Sequence, residues 1–452
     1  MIQSGSKSFL DAVQGRVDHI LEACMKCGHC VEACPMVEPA GLDPREGPAI
    51  VEGILGLLAG TQGTPDAVRW TEVCTNSGKC IRACDYGVNP RFMVNMARVA
   101  AKKAQLGEAA VRRAGHDYYS RMHHSTQMIS RLQLTPEDLA RLAPPLRNRE
   151  DYTGTPDIVF YTGCNIVKTP HIALLVLEVL DAIGVTYEVM GGVSTCCGIQ
   201  HFKEGDAKTG GRFGYNTIER LARPKASRVI SWCPSCQIQI GDIALPAYQA
   251  SYGEMPFDMS PLAEFLFERL DDLRPLFVHP VPRRVALQER SAVPGIMTAV
   301  KAVLRAIPQL EVIELDVPVV STQASHLNVL PKFKAELRER EFRAAAEAGV
   351  TTFASIFHGC HRELVQYQPQ VSFELLNFME LIGESMGIYI PDLYKRLRGL
   401  DSVDAIVADT AELIALHGLD VEEVRKALTY DMFGGRAKPA PAAATQAEGA
   451  QS

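Results

Sequence analysis

Apolar residues recur at helical spacing from position 8 to about 21, where Phe9, Leu10, Val13, Val17, Ile20 and Leu21 share one face and predict an amphipathic helix that delivers the chain to Cys24. A second such run follows Asn89-Pro90, through Met93, Val94, Met96, Ala97 and Val99 to Lys103. Positions 115–148 read as a charged, partly helical connection with Thr135-Pro136 as cap and first turn. From Asp157 the pattern changes. Short β-rich runs at 158–161, 186–190 and 228–232 alternate with helical stretches at 171–183 and 211–222, and a helix beginning near Ser260-Pro261 runs to Leu270. This alternation predicts an α/β unit with a mostly parallel sheet, whose strand ends are where ligands collect.

The same order recurs from Arg284, with strands at 285–288, 311–315 and 352–357 and helices at 294–306 and 331–348. Aligning Val193-Ser-Thr195 with Val320-Ser-Thr322 places Gln323 opposite Cys196, Ala324 opposite Cys197, Ser325 opposite Gly198 and Ser291 opposite Cys164. Carried on without a gap, the register sets Cys360 opposite Cys233; matching Ser355 to Ser231 sets it opposite Cys236. Either way the second copy lacks four of the five cysteines of the first. Beyond Glu374 the pattern is helical to Met386, then at 402–417 and 421–429, an extension that suits a contact with another protein chain. From Gly434 the chain is too poor in bulky apolar residues to pack and is expected to be disordered.

Twelve of the thirteen cysteines fall into three spaced groups. Cys24-Met-Lys-Cys27-Gly-His-Cys30-Val-Glu-Ala-Cys34-Pro35 is the bacterial ferredoxin run for a [4Fe-4S] cluster, without a departure. In two-cluster ferredoxins the fourth cysteine of one run serves the other cluster, so Cys24, Cys27 and Cys30 are assigned with Cys84, the last cysteine of a second run. That run, Cys74-Thr-Asn-Ser77-Gly-Lys-Cys80-Ile-Arg-Ala-Cys84-Asp85, keeps the spacing but carries Ser77 for its second cysteine. Its site would have Cys34, Cys74 and Cys80. Three thiolates suit a [3Fe-4S] cluster or a [4Fe-4S] cluster completed by Ser77 oxygen or water; the alternative is an empty site. His29, inside the first run, reads as solvated or as a partner behind the ligands, because its neighbours already supply the thiolates. His116, His123 and His124 have no ligand company and read as surface.

The third group is Cys164, Cys196-Cys197-Gly198 and Cys233-Pro-Ser235-Cys236. Five converging thiolates exceed the four ligands of a tetrahedral zinc, and an adjacent cysteine pair suits a multi-iron core, so an iron–sulfur site is weighed against buried, inert thiols. This spacing resembles the cysteine-rich domain, with its Cys-Cys-Gly signature, of heterodisulfide reductase catalytic subunits, which also occurs in iron–sulfur subunits of glycolate, glycerol-3-phosphate and lactate dehydrogenases. The resemblance implies that Cys164, Cys196, Cys197, Cys233 and Cys236 hold a noncubane [4Fe-4S] cluster at which a disulfide is reduced or formed. Two-repeat members of that family bind a cluster in each copy. With its second copy stripped, this chain departs from that pattern, and the second copy becomes a packing half that closes one side of the cleft. Cys360 then reads as a buried relic, and His358 and His361 beside it as structural or as proton donors at the cleft.

Composition narrows the partners. Hydrophobic content of 47% with 22% charged residues is ordinary for a globular chain, and a net charge of −7 gives no basic patch for nucleic acid. An odd cysteine count at ligand spacings argues for a reducing compartment, hence the cytoplasm. The N-terminus lacks an apolar signal core, and the most apolar run, AIVEGILGLLAG, is short and carries Glu52, so no membrane span is expected. The predicted fold class is α+β and multi-domain. An α-helical two-cluster ferredoxin-type domain (1–105) and a helical linker (106–155) precede two tandem α/β repeats, one with a cluster (156–280) and one degenerate (281–370), then a helical extension (371–433) and a tail (434–452).

The resemblance implies an iron–sulfur subunit of a heterodisulfide-reductase-like complex, partnered by flavin-containing and other iron–sulfur subunits, acting on a small thiol, disulfide or protein-bound sulfur. The alternative is an electron conduit for a flavin-dependent 2-hydroxy-acid or glycerol-3-phosphate dehydrogenase. No Gly-x-Gly-x-x-Gly follows a strand, so flavin or nicotinamide would sit on a partner. A scaffold with structural clusters is disfavoured, since a chain this long needs no metal staples to fold.

Overall fold

Helix Phe9–Ala23 starts at a capping box in which Ser8 Oγ accepts the Asp11 N–H at 3.2 Å and the Asp11 carboxylate accepts the Ser8 N–H at 3.0 Å. Its apolar stripe buries Phe9, Val13, Val17 and Ile20. Phe9 meets Tyr215 edge-on at 5.5 Å and lies flush against Gly211, where any Cβ would stand 2.0 Å from its ring. Burying such a ring stabilises by about 1.5–3 kcal/mol, and here it docks the N-terminal module on the first α/β repeat. The computed structural model describes residues 8–142, 146–147, 154–290 and 293–434. Ser291 and the tail 435–452 lie outside them.

In the N-terminal module, helices Gly47–Leu58, Pro65–Val73 and Pro90–Leu106 join the first in packing around two short ones, His29–Glu32 and Lys79–Arg82. Each short helix starts at a left-handed glycine, Gly28 (φ 85°) or Gly78 (φ 74°), two residues after another positive φ, at Lys26 (55°) or Asn76 (60°). The second cysteine run thus repeats the backbone of the first although Ser77 replaces a cysteine.

The connection is more regular than its sequence predicts. Glu108–Arg131 is one continuous 24-residue helix. Gly115, inside this helix, permits close approach, because a Cβ there would lie 2.8 Å from His201 Nδ1. Thr135 does cap the next helix, Pro136–Arg141, through a box with Asp138. Ile129 and Leu132 pack with Val424 and Leu428 of helix Val421–Met432, so the C-terminal extension (helices Val403–Asp409, Ala411–Leu416 and Val421–Met432) is used within the chain.

Two sheets carry the repeats. The first comprises β1 (Leu146–Arg147), β2 (Ile158–Gly163), β3 (Tyr187–Gly191), β4 (Arg228–Ser231) and β5 (Asp258–Pro261) in the order β1-β3-β2-β4-β5, parallel except for β1. The second comprises β6 (Arg284–Leu287), β7 (Glu311–Ile313), β8 (Thr352–Ser355) and β9 (Glu374–Asn377) in the order β7-β6-β8-β9, all parallel. Without β1 the two orders are the same, as expected of a repeat.

Two expectations change. Ser260 and Pro261 end a strand, the helix following at Leu262–Glu268, and Glu374–Asn377 is a strand before helix Phe378–Met386. Both are four-residue edge strands, too short to show alternation, and a proline is tolerated at an edge. The ladders also settle the register. Val159 pairs with Val229 and Ala286 with Phe353, so with Ile158 matched to Val285, Ser355 falls on Ser231 and Cys360 on Cys236.

Alternation along β2 and β4 divides the core. Val159, Tyr161 and Val229 face the N-terminal module, whereas Ile158, Phe160 and Ile230 join Val285 and Leu287 of the second repeat. The first repeat is therefore the middle layer of the protein. Among the described residues no helix is long and apolar enough to cross a membrane.

Candidate metal centres

Each cysteine group of the first repeat follows a strand: Cys164 after β2, Cys196-Cys197 after β3 and one 3₁₀ turn, and Cys233 after β4. The five thiols adjoin one another in an unbroken series running Cys164, Cys196, Cys197, Cys236, Cys233. Donation from Cys196 and Cys236 draws Cys197 toward thiolate, and Cys236 does the same for Cys233. The hydrogen bond to Cys196 and burial push Cys164 the other way; its bonds to Cys197 and Cys233, with burial, do so for Cys236. Full ionisation of the set therefore needs a cationic centre, and soft donors in a dry pocket suit iron–sulfur chemistry.

The surroundings fix this geometry. Tyr161 Oη donates to Thr195 O at 2.8 Å, Thr217 Oγ1 donates to Cys196 O at 2.8 Å, and the Gly198 N–H lies 3.4 Å from Cys196 Sγ. Gly198 must be glycine, because φ is 84° and a Cβ would stand 2.2 Å from Gly210 O. Cys196, Cys197 and Cys236 are buried, and Cys164 and Cys233 are half-buried.

In the N-terminal module Cys24, Cys27, Cys30 and Cys84 line one small cavity, the crossed set that the two-run rule gives. Burial and the charges of the other three push the Cys30 thiol up to about 12. The second set gathers in the same way: burial, followed by the charges of Cys74 and Cys34, raises Cys80. Cys34 accepts a hydrogen bond from buried Trp70 Nε1 at 3.3 Å, the kind of donor that tunes a cluster's potential. Ser77 is buried beside them, and Asn95 Nδ2 holds Asn76 Oδ1 at 2.7 Å. Arg98, buried, ties the loop by donating to Thr71 O at 2.7 Å and Cys74 O at 2.8 Å.

Sequence reasoning missed the segment that joins these centres. Thr322 Oγ1 of the second repeat donates to Thr75 O at 2.8 Å, in the Ser77 loop, and its neighbour Gln323 reaches Ser235 at 3.1 Å in the Cys233–Cys236 loop. His326 sits between, 3.4 Å from Thr75 O and 2.7 Å from Lys203 Nζ. Lys203, pushed down to about 8 by burial, feels the charges of Cys197, Cys233 and Cys74. A cavity of about 380 Å³ opens here, lined by Cys74, Arg98, Lys102, Lys203, Glu204 and His326 among others.

The corresponding pocket of the second repeat is filled by side chains. Cys360 Sγ accepts the Ala324 N–H at 3.3 Å, so it stands to Ala324 as Cys236 stands to Cys197. Arg290 and Glu341 form an ion pair at 3.0 Å, with side chains 2% and 3% exposed, and Arg290 also reaches Cys360. His361 points elsewhere, to Asp392 at 2.7 Å, and burial pushes His358 down to about 3. His29 and His116 are exposed as expected, but His123 and His124 are half-buried, His124 against Glu423.

The 4Fe-4S dicluster domain family matches residues 20–88, spanning both ferredoxin-type runs, and the cysteine-rich domain family matches residues 158–241, spanning the five-thiol group. Over 399 residues, 81% of this chain and 94% of the relative, the chain is 21% identical to one of the subunits of the dihydromethanophenazine:CoB–CoM heterodisulfide reductase of Methanosarcina barkeri. It is 20% identical, with the same shares covered, to the corresponding protein of that name from Methanosarcina mazei.

Proposed function

We propose that this chain, a heterodisulfide-reductase-like iron–sulfur protein, moves electrons between two ferredoxin-type centres and a noncubane [4Fe-4S] centre where a thiol, disulfide or persulfide sulfur reacts. It would do so in a complex whose other subunits carry flavin and further iron–sulfur groups, as suits relatives named as reductase subunits. The observation that carries the reading is the five-thiol series, tied through Thr322 and Gln323 to the Ser77 loop.

Cys24, Cys27, Cys30 and Cys84 would hold a [4Fe-4S] cluster. Cys34, Cys74 and Cys80 would hold a [3Fe-4S] cluster, or with Ser77 a [4Fe-4S] cluster, and Cys164, Cys196, Cys197, Cys233 and Cys236 the noncubane one. When bound, these groups supply one-electron steps and an unequally ligated iron for substrate sulfur. The chain supplies the rest. Lys203 sets a positive charge beside Cys197 and Cys233 and holds a proton at Nζ, shared with His326 at 2.7 Å, for a departing thiolate. Burial of Cys196, Cys197 and Cys236 excludes water, while Cys164 and Cys233 are half-buried.

The test is anaerobic purification, iron analysis and turnover of small disulfides with a reduced viologen. About eleven or twelve irons per chain, from four, three or four, and four at the three sites, with disulfide reduction, are expected. Electron exchange with a flavin 2-hydroxy-acid dehydrogenase and no disulfide turnover would move the assignment to that class. Cysteine sites holding zinc and no iron would overturn it.

A further inference from the structure

Away from the cysteine centres, four side chains from four separate segments converge. His171 opens helix Pro170–Ala182 of the first repeat; His361 lies on helix His358–Leu364 of the second; Glu380 is on helix Phe378–Met386; Asp392 caps helix Leu393–Arg398. One ligand atom from each lies within 4.8 Å of the others. His171 and His361 are 1% and 0% exposed, Asp392 7% and Glu380 16%.

His171 is the anomaly. Among the described residues neither ring nitrogen has a hydrogen-bond partner, although Nδ1 stands 3.4 Å from Asp392 Oδ1 and Nε2 stands 3.7 Å from Glu380 Oε2. A fully buried imidazole between two carboxylates should close on one of them. Neither contact closes as a hydrogen bond, yet both separations are close to the roughly 3.4 Å edge of a tetrahedron whose ligands lie about 2.1 Å from a central cation. The other three ligands are already oriented from behind. His361 Nδ1 lies 3.3 Å from Ser355 Oγ, Glu380 Oε2 accepts the Asn377 N–H at 2.6 Å, and Asp392 Oδ1 accepts the Lys395 N–H at 2.8 Å. Such outer partners accompany metal ligands. Two carboxylates and two neutral imidazoles balance a doubly charged ion. Glu380 and Asp392 also line a groove of about 780 Å³, which supplies an entry path.

We propose that His171, His361, Glu380 and Asp392 form a mononuclear site for a divalent first-row cation of the zinc type, which fastens the first repeat to the second. Two imidazoles with two carboxylates favour such an ion over calcium or magnesium, which take all-oxygen shells. On binding, the 2.7 Å hydrogen bond between His361 Nε2 and Asp392 Oδ2 opens to admit the ion.

The test uses the full chain with its iron in place. Zinc is added and excess removed, then metal analysis and zinc-edge X-ray absorption follow. One zinc per chain beyond the iron is expected, with a nitrogen and oxygen shell at about 2.0–2.1 Å, imidazole scattering and no sulfur at about 2.3 Å. Cobalt substitution should give visible d–d bands without thiolate charge transfer. His171→Ala should remove the site, and Glu380→Gln, which keeps the volume at the exposed edge, should weaken zinc binding at least tenfold while iron content and cluster spectra stay unchanged. Absence of a retained zinc or cobalt, a sulfur shell around it, or undiminished binding by Glu380→Gln would each overturn the proposal.

Discussion

Gln323, which occupies the place of Cys196 in the second repeat, donates from Nε2 to Ser235 Oγ at 3.1 Å, inside the Cys233-Pro-Ser235-Cys236 loop of the first. The repeat without the cysteine set thus buttresses the loop of the repeat that carries it. Gln323→Ala removes this donor and no cysteine. Iron content should hold, stability should fall by about 1 kcal/mol, and the magnetic resonance signal or potential of the five-thiol centre should shift. An unaltered signal would show that the contact does not reach the centre.

Ser77 stands at the ligand position of a loop whose backbone already has the geometry of the intact run, with φ of 60° at Asn76 against 55° at Lys26. Ser77→Cys should therefore turn a three-iron spectrum at this site into a four-iron one without rebuilding the fold. An unchanged electron paramagnetic resonance spectrum would remove Ser77 from the site.

Arg290 and Glu341 stand beside Cys360 in the second repeat as a fully buried pair. Arg290→Met strands the carboxylate and should cost about 3–5 kcal/mol in denaturant unfolding, whereas the double change with Glu341→Leu should return to within about 2 kcal/mol of the parent. A neutral single variant would show that the pair does not hold the pocket of this repeat together.

The parts legible in the sequence are those whose chemistry is local. Cys24 to Cys34 specify a centre by spacing alone, and β2, β3, β4, β6 and β8 announce themselves by apolar runs bounded by turn residues. The pairing of Cys360 with Cys236 needed strand ladders, because the copies differ in length. Arg290 with Glu341, and His171 with Asp392, come from distant segments and leave no spacing signal. The contact of Gly115 with His201 likewise joins distant segments and has no local signal.

His358 is held neutral by burial, with Arg362 and Lys168 adding to the effect, its pKa pushed down to about 3. The unfolded chain takes up that proton near pH 6.5, so this histidine's contribution to stability is present above that value and is lost as pH falls toward 3. Between about pH 7 and about pH 5.5 the loss should be about 1.2 kcal/mol. His358→Gln should lack that increment in anaerobic denaturant titrations, and parallel slopes for the two proteins would assign the acid sensitivity to other groups.

The asymmetry of the repeats gives the most decisive pair of variants. Cys197 lies in the middle of the five thiols, between Cys196 and Cys236, so Cys197→Ser breaks the donor set at its centre. It should lose about four irons, the five-thiol signal and any disulfide turnover, with both ferredoxin-type signals intact. Cys360, 1% exposed, has only Ala324 where Cys236 has Cys197, and Arg290 occupies the space beside it. Cys360→Ser exchanges a buried thiol for a hydroxyl that can still accept the Ala324 N–H. A cost of about 1–3 kcal/mol is expected, with iron content, signals and turnover unchanged. Iron loss from a folded Cys360→Ser protein would mean that the second repeat contributes a ligand across the boundary, and the picture of a stripped, buttressing copy would have to be given up.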